Sequence, residues 1–350
     1  MSFSVIQARS SPEHTRDKFA LMPIHSLGRR GSDDKFDTTK LPFEIIKGVN
    51  IEDISALLRD DPFGIWKEML GESQTEKIKR VKYALIYRYH PENVTTTDPN
   101  ATLTLLSSCL RLIRPMRQRS LVSVHGKVHA DNGTLDITGF DLAERQSGVE
   151  VVEAHKLSTL RDQDAETLRL LAPEFIRAIR GGFWKFRMAA QFHDLGYFQS
   201  YNWKPKFLLW CSALEALFTT HNRDHKGSRV AKARIKWFLG EQTRIYPQES
   251  WPYVIPHCAL TIADVIDDLY VMRNYVAHGD KLPDPFFTTF PRQGINGGVT
   301  QAEALCEAAS FIIRESLLKI LRDGLLDHFA DAAPAEVYFG AHGLTNSQLP

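Results

Sequence analysis

The sequence predicts an α+β chain in which a small mixed region over 41–160 precedes an all-helical bundle over 161–330. Three observations predict it. After 160, apolar residues recur at helical spacing in segment after segment. Before 160, short runs rich in β-branched and aromatic residues alternate with turn residues, and Asn132-Gly133 supplies the positive φ values of a tight hairpin. At 350 residues, with 43% hydrophobic and 24% charged content, the chain is long enough for two domains with a sizeable core.

Residues 1–40 are rich in Ser, Arg, Asp and Thr and read as a loosely ordered tail or an edge element. Ile51 to Arg59 reads as a short helix. Lys79 to Tyr89 (KRVKYALIYRY) reads as a strand, with a helix as the alternative. Thr102 to Leu112 carries leucines at helical spacing. Leu121 to Val128 alternates as a strand does, and Leu135 to Phe140 pairs with it. Gly148 to His155 is a further candidate strand. The helices expected next are Asp164–Arg180, Phe183–Phe198, Lys206–Thr219, Arg229–Leu239 and Leu260–His278, closed in turn by glycines such as Gly240 and Gly279. Thr300 and Glu303 form a capping box that opens a last long helix to about Arg322, and 331–350 reads as a C-terminal tail.

Composition excludes several classes of function. Cys109, Cys211, Cys258 and Cys306 are widely spread with no CxxC pair, so neither a zinc site nor a disulfide framework is indicated, and a cytoplasmic setting is expected. No apolar run reaches the ~18–20 residues of a membrane span, and no secretory signal is read at the N-terminus. There is no P-loop, GxGxxG or GxSxG motif, so nucleotide hydrolysis, dinucleotide redox and serine-hydrolase chemistry lack support, and no cofactor is expected. His193-Asp194 lacks the companion ligands of a metal site and reads as a helix-surface pair; His125 and His129 read as surface residues of a strand.

One stretch carries chemistry: Arg273-Asn274-Tyr275-Val276-Ala277-His278-Gly279, at the end of a helical pattern. Ile262, Val265, Ile266, Leu269, Met272 and Val276 form the core stripe of that helix. Arg273 lies at the stripe's edge, and Asn274 and His278 share a face. On an ideal helix Arg273 and His278 are separated by roughly 140°, so a second copy of the helix is expected to complete a site. RNA is cut without a metal when its 2′-hydroxyl attacks the adjacent phosphate. Histidine suits the proton transfer because its ordinary pKa is ~6.5. Arginine suits the growing phosphorane charge because its fork of donors stays charged. Asn274 would bind the phosphate or orient His278. The plainer reading is a histidine that favours the negative end of a helix dipole.

Upstream, Trp210-Cys211-Ser212-Ala213-Leu214-Glu215-Ala216-Leu217-Phe218 is an apolar stripe containing one carboxylate. Glu215 either pairs with Arg273 or faces solvent at the stripe's edge. Between Lys204 and Arg244, nine Lys or Arg face three acids, a local excess of six in a chain of net charge +1. Arg223, Lys226, Arg229, Lys232, Arg234 and Lys236 are the candidate RNA-backbone contacts, with His221, His225 and Trp237 placed to stack on bases; the alternative is a solvated helix face.

The Arg-Asn-x-x-x-His-Gly ending of a helix in an all-helical region resembles the HEPN superfamily motif. The helix with Trp210–Phe218 resembles the "ALEALF" helix of the Apea-like HEPN group, and the order matches: this helix, a basic segment, the Arg–His helix, a closing helix. The resemblance covers about 165–330. It implies a helical bundle that dimerises and brings two Arg–His motifs into one cleft. It also implies a metal-independent endoribonuclease in a bacterial defence or toxin-like system, with Arg273, Asn274, His278 and Glu215 in the site. An antitoxin or regulatory partner would follow from such a role, with no metal and no membrane involved. Other members of the superfamily bind nucleotide, RNA or protein without cleavage.

Overall fold

Alternating and helical apolar patterns build two compact units, a sheet unit and a helical unit. The computed structural model describes residues 18–24, 37–54, 83–90, 98–113, 122–128, 135–142, 161–198, 203–219, 227–245, 260–282 and 301–345. The chain is thus mixed α+β, and most of its described elements are helices.

The sheet unit is a six-stranded antiparallel sheet of order β2-β3-β4-β1-β5-β6. Its strands are β1 (Lys18–Ile24), β2 (Phe43–Ile46), β3 (Val49–Asp53), β4 (Tyr83–Tyr89), β5 (Val122–Val128) and β6 (Leu135–Leu142). Over Lys18–Ile24 the structure corrects the reading of 1–40 as tail or edge, while 1–17 and 25–36 lie outside the described residues. Lys18–Ile24 is an inner strand, hydrogen-bonded to β4 on one side and β5 on the other. Phe19, Ala20 and Leu21 are consecutive and all buried, as an inner strand covered on both faces requires. Ile51 to Asp53 ends β3 and does not begin a helix. Val49 and Ile51 are buried while Asn50 between them is half-buried, a period of two. Residues 55–59 of that expected helix lie outside the described residues. So do the Asn132-Gly133 turn, the candidate strand at 148–155 and Thr300 of the expected capping box. β2 and β3 are joined by Lys47-Gly48, where Gly48 has φ 82° and a Cβ would stand 3.0 Å from Arg88 O. Only glycine fits that turn. On the neighbouring strand the Arg88 guanidinium forks onto the Glu52 carboxylate, with Nη2–Oε2 at 2.8 Å.

Helix α1 (Pro99–Ile113) begins in the sheet unit, but from Leu106 onward it belongs to the helical unit. The domain boundary therefore does not fall cleanly at 160. Arg111, buried, ties this half-helix down: its Nε donates to Asp194 Oδ1 at 2.6 Å, and its other nitrogens reach the Ser107 and Ser108 hydroxyls. The remaining helices are α2 (Asp162–Arg180), α3 (Trp184–Phe198), α4 (Trp203–Phe218), α5 (Gly227–Leu239), α6 (Ile262–His278), α7 (Gln301–Arg322) and α8 (Ala332–Gly340). No helix among the described residues is long and apolar enough to cross a membrane.

Helix α4 is the hub. It packs against α3, α5, α6 and α7. Its expected stripe, Phe207, Trp210, Cys211, Leu214, Leu217 and Phe218, is buried throughout. α7 is buried nearly all round, with Ala304, Leu305, Ala308, Ala309, Ile312 and Ile313 at its core. Residues read as a C-terminal tail instead form α8. Asp331 caps it by accepting from Ala332 N at 2.7 Å, and Phe339 packs against Phe218 and Phe329 in the core. Three aromatics outweigh the small residues that made the segment look loose.

Helices α3 and α4 approach each other closely. Trp210 Nε1 donates to His193 O at 3.1 Å, and a Cβ on Gly196 would overlap the Trp210 ring. The expected surface pair His193-Asp194 is thus corrected. His193 is buried, with its Nε2 unpartnered, and Asp194 is held by Arg111 and Ser108. Burial, then the charges of Arg314 and Arg111, push the His193 imidazole down to about 3.

Two outcomes are expected. Gly196→Ala forces Trp210 off its carbonyl and destabilises the chain by about 1–3 kcal/mol, read as a lower urea midpoint. His193 is neutral when folded and titrates near ~6.5 when unfolded, so the unfolded chain binds more protons and stability declines as pH falls from ~6.5 toward 3. Urea unfolding at pH 7 and pH 5 checks this: His193→Gln should flatten the decline, and an unchanged pH slope would assign it to other groups.

Candidate functional site

The candidate site lies where α4 meets α6. Each helix supplies its polar residues from the edge of a buried stripe. On α4, Glu215 follows Cys211 by one turn, so it emerges beside the core. On α6, Ile262, Val265, Ile266, Leu269, Tyr270 and Met272 face inward. Arg273 follows one residue later at the margin, and Asn274, Ala277 and His278 are exposed. Val276, expected as the last member of the stripe, is only half-buried. The start of α6 is set by Thr261 and Asp264: Thr261 N donates to Asp264 Oδ2 at 2.8 Å. Its end is set by Gly279 at φ 76°, where Gly279 N reaches Val276 O and Asp280 N reaches Tyr275 O.

Of the two readings of Glu215, the structure gives the ion pair. Arg273 Nη2 lies 3.0 Å from Glu215 Oε1 and 3.2 Å from Oε2. The side chains are 34% and 28% exposed, so the pair is anchored yet open to solvent. Arg273 Nη1 lies 3.4 Å from Asn274 Oδ1. Glu215 fixes one edge of the guanidinium and leaves donors free to turn outward. His278 is the last residue of α6 and is exposed. Among the described residues no hydrogen bond joins it to Arg273, in accord with the angle between them on a straight helix.

Two neighbours were missed by the sequence reading. Tyr270 is buried, and its hydroxyl has no partner among the described residues. Burial, with Cys211 and Glu215 adding to it against an opposing Arg273, raises the phenol well above its ordinary range. It therefore stays a neutral donor. Its position one turn before Arg273 was the available signal. Cys211 is raised likewise by burial and Glu215 against an opposing Arg273, which favours the neutral thiol.

The basic candidates separate into three groups. Arg223 and Lys226 lie outside the described residues. Arg229, Lys232 and Lys236 share one face of α5 and line a groove of about 600 Å³ with Trp237, Glu241 and Asp267. Lys232 Nζ and Lys236 Nζ lie 2.6 and 3.5 Å from the Asp267 carboxylate. Burial works against the Asp267 charge, but the Lys232 hydrogen bond and the two ammonium charges prevail and lower its pKa. Trp237 is 39% exposed and lies 4.2 Å from the His342 ring at 31°. Arg234 is a correction: it is 0% exposed and no candidate for RNA. It donates to Leu344 O at 2.9 Å, Phe218 O at 3.2 Å and Glu336 Oε2 at 2.7 Å, and stacks on Phe339. Two residues along a helix is ~200° around it, which puts Arg234 opposite Lys232 and Lys236.

Among the described residues, no group of three or more His, Cys, Asp or Glu is placed to hold a metal ion. The two kinds of basic residue should behave differently. Arg234→Met strips three acceptors of their donor and is expected to destabilise by about 2–4 kcal/mol, whereas Lys236→Ala loses a half-open ion pair and costs under about 1 kcal/mol. Equal urea midpoints for the two variants would refute the distinction. No family model, no curated protein and no solved structure matches this chain.

Proposed function

We propose that the helical unit is a HEPN-like endoribonuclease domain that cleaves RNA without a metal, as part of a bacterial defence or toxin-like system. The observation that carries this reading is Arg273 held by Glu215 at a solvent-open edge, on the same helix that presents an exposed His278 at its end.

In this reading Arg273 binds the scissile phosphate and neutralises the charge that builds on it. Glu215 keeps the guanidinium pointed. The RNA 2′-hydroxyl attacks phosphorus, the 5′-oxygen leaves, and a 2′,3′-cyclic phosphate results. His278 takes the proton from the attacking hydroxyl or gives one to the leaving oxygen, and Asn274 assists at the phosphate. Because His278 and Arg273 diverge on one helix, a homodimer would pair each with its counterpart. Val271, an exposed apolar residue, shares the outward face of α6 with Asn274 and His278 and supports that arrangement. Arg229, Lys232 and Lys236 would track the RNA backbone, and an antitoxin or regulatory partner would restrain the activity.

A second reading has its own observation. Glu215 already neutralises Arg273, and Asp267 already neutralises Lys232 and Lys236. A non-catalytic module that binds nucleotide, RNA or a partner protein fits those satisfied charges.

The test is incubation of the chain with total tRNA in EDTA, with products resolved on a denaturing gel. Wild type should leave cyclic-phosphate ends, and His278→Ala should cut about 10²–10⁴-fold more slowly. Since His278 is exposed and makes no side-chain hydrogen bond among the described residues, the variant's stability should change by less than about 0.5 kcal/mol, which separates lost chemistry from lost folding. Equal cutting by both proteins, or 3′-hydroxyl ends, would overturn the mechanism. Binding without cutting would favour the module.

A further inference from the structure

The sheet unit holds a cavity that the ribonuclease reading does not use. β1 and β5 are antiparallel neighbours, and their register sets Lys18 directly opposite Lys127. On its other side Lys18 is opposite Tyr89 of β4. Residues directly opposite in an antiparallel sheet project from the same face, so two ammonium groups and a phenol form one row. Like charges in that arrangement repel. Neither lysine has an ion pair among the described residues, although Asp136 holds the register position beyond Lys127.

The row borders a cavity of about 310 Å³. The volume follows from the sequence. Ala20, on the same face as Lys18, stands where a larger residue would fill the space, and the Asp98-Pro99-Asn100 segment at the start of α1 forms a wall. His125 and Thr138 complete the lining. The free end of α1 is not what makes the site cationic, because Asp98 already caps it: Asn100 N donates to Asp98 Oδ1 at 3.0 Å. Among the described residues, the lysine pair has no acidic partner.

We propose that this cavity binds a small phosphomonoester of the nucleoside monophosphate class, with its phosphate bridging Lys18 and Lys127. A dianionic phosphate between the two ammoniums turns their repulsion into two charge-assisted hydrogen bonds. His125 and Asn100 stand beside it with further donors. Asp98 faces the same space and repels a second phosphate, but it accepts from a sugar hydroxyl. Tyr89 offers a ring face to the base or sugar. A cavity of this size lies at the small end of ligand sites, which suits one nucleotide and not a polymer. This ligand belongs to the sheet unit and stands whether or not the helical unit cuts RNA.

The test is calorimetric titration of the full chain with inorganic phosphate, ribose 5-phosphate and AMP at matched ionic strength. The expected order of affinity is AMP over ribose 5-phosphate over phosphate. Lys127→Gln and Lys18→Gln should each weaken AMP binding by roughly tenfold or more, as loss of one charged hydrogen bond implies. Without ligand, both variants should unfold at the wild-type midpoint or above it, because a repulsion has been removed. That combination separates a ligand contact from a structural one. The proposal is overturned if no probe binds more tightly than sulfate, or if either variant binds AMP as wild type does. Binding of phosphate alone, equal to AMP, would reduce the site to a simple anion site and refute the nucleotide assignment. Should Lys127→Gln not fold, Lys18→Gln, at an exposed position, decides the matter.

Discussion

Helix α4 is covered by four other helices, and one carboxylate rides on it. That constraint organises the helical unit. Trp210 can approach α3 only because Gly196 has no side chain, and its indole N–H is satisfied by a backbone carbonyl of α3. With α4 fixed against α3 and α7, Glu215 has a single place to emerge, at the edge facing α6. A carboxylate there is half-desolvated and needs a cation. Arg273 meets that need, and in doing so has its own guanidinium oriented. The geometry of the candidate site is thus a by-product of how tightly α4 is packed.

The same logic explains Arg234. Around α5, one face looks outward to the groove with Trp237, and the other is pressed against the ends of α4 and α8. A guanidinium on the inner face is tolerated because two carbonyls, a carboxylate and an aromatic face receive it. It ties α5 to the end of α4 and to α8 and the turn after it, where two backbone carbonyls and the Glu336 carboxylate accept from it. Electrostatics in this unit is therefore of two kinds. Arg234 and Arg111 are buried and satisfied from several sides, and they hold helices together. Arg273, Lys232 and Lys236 are half-open, each balanced by one carboxylate, and an anionic ligand could exchange for that partner.

Much of the helical unit was legible in the sequence. The stripe Phe207, Trp210, Cys211, Leu214, Leu217 and Phe218 was readable from period alone, and Gly240 and Gly279 marked where helices stop. The Arg273–Glu215 pair could be anticipated because a lone carboxylate in an apolar stripe demands a cation. β1 was not legible. Phe19, Ala20 and Leu21 are apolar without alternation, as an inner strand must be, and polar neighbours disguised them. α8 was hidden for a similar reason: its small residues have weak pattern, and its burial comes from Phe218 and Phe329, distant in sequence. Tyr270 read as one more core residue, since nothing in a sequence says that a hydroxyl will lack a partner.

The sequence by itself determined most helices of the helical unit from α2 to α7, where α5 and α6 end, and that an arginine and a histidine would sit on one helix without touching. Those are local properties, set by a residue's φ preference and by a rotation of ~100° per residue. Only the tertiary structure decided which charges are spent inside and which stay open. It buried Arg234, paired Arg273 with Glu215 and set Lys18 across from Lys127. Each outcome depends on which face of an element meets a neighbour, and that choice is made by packing between segments far apart in the chain.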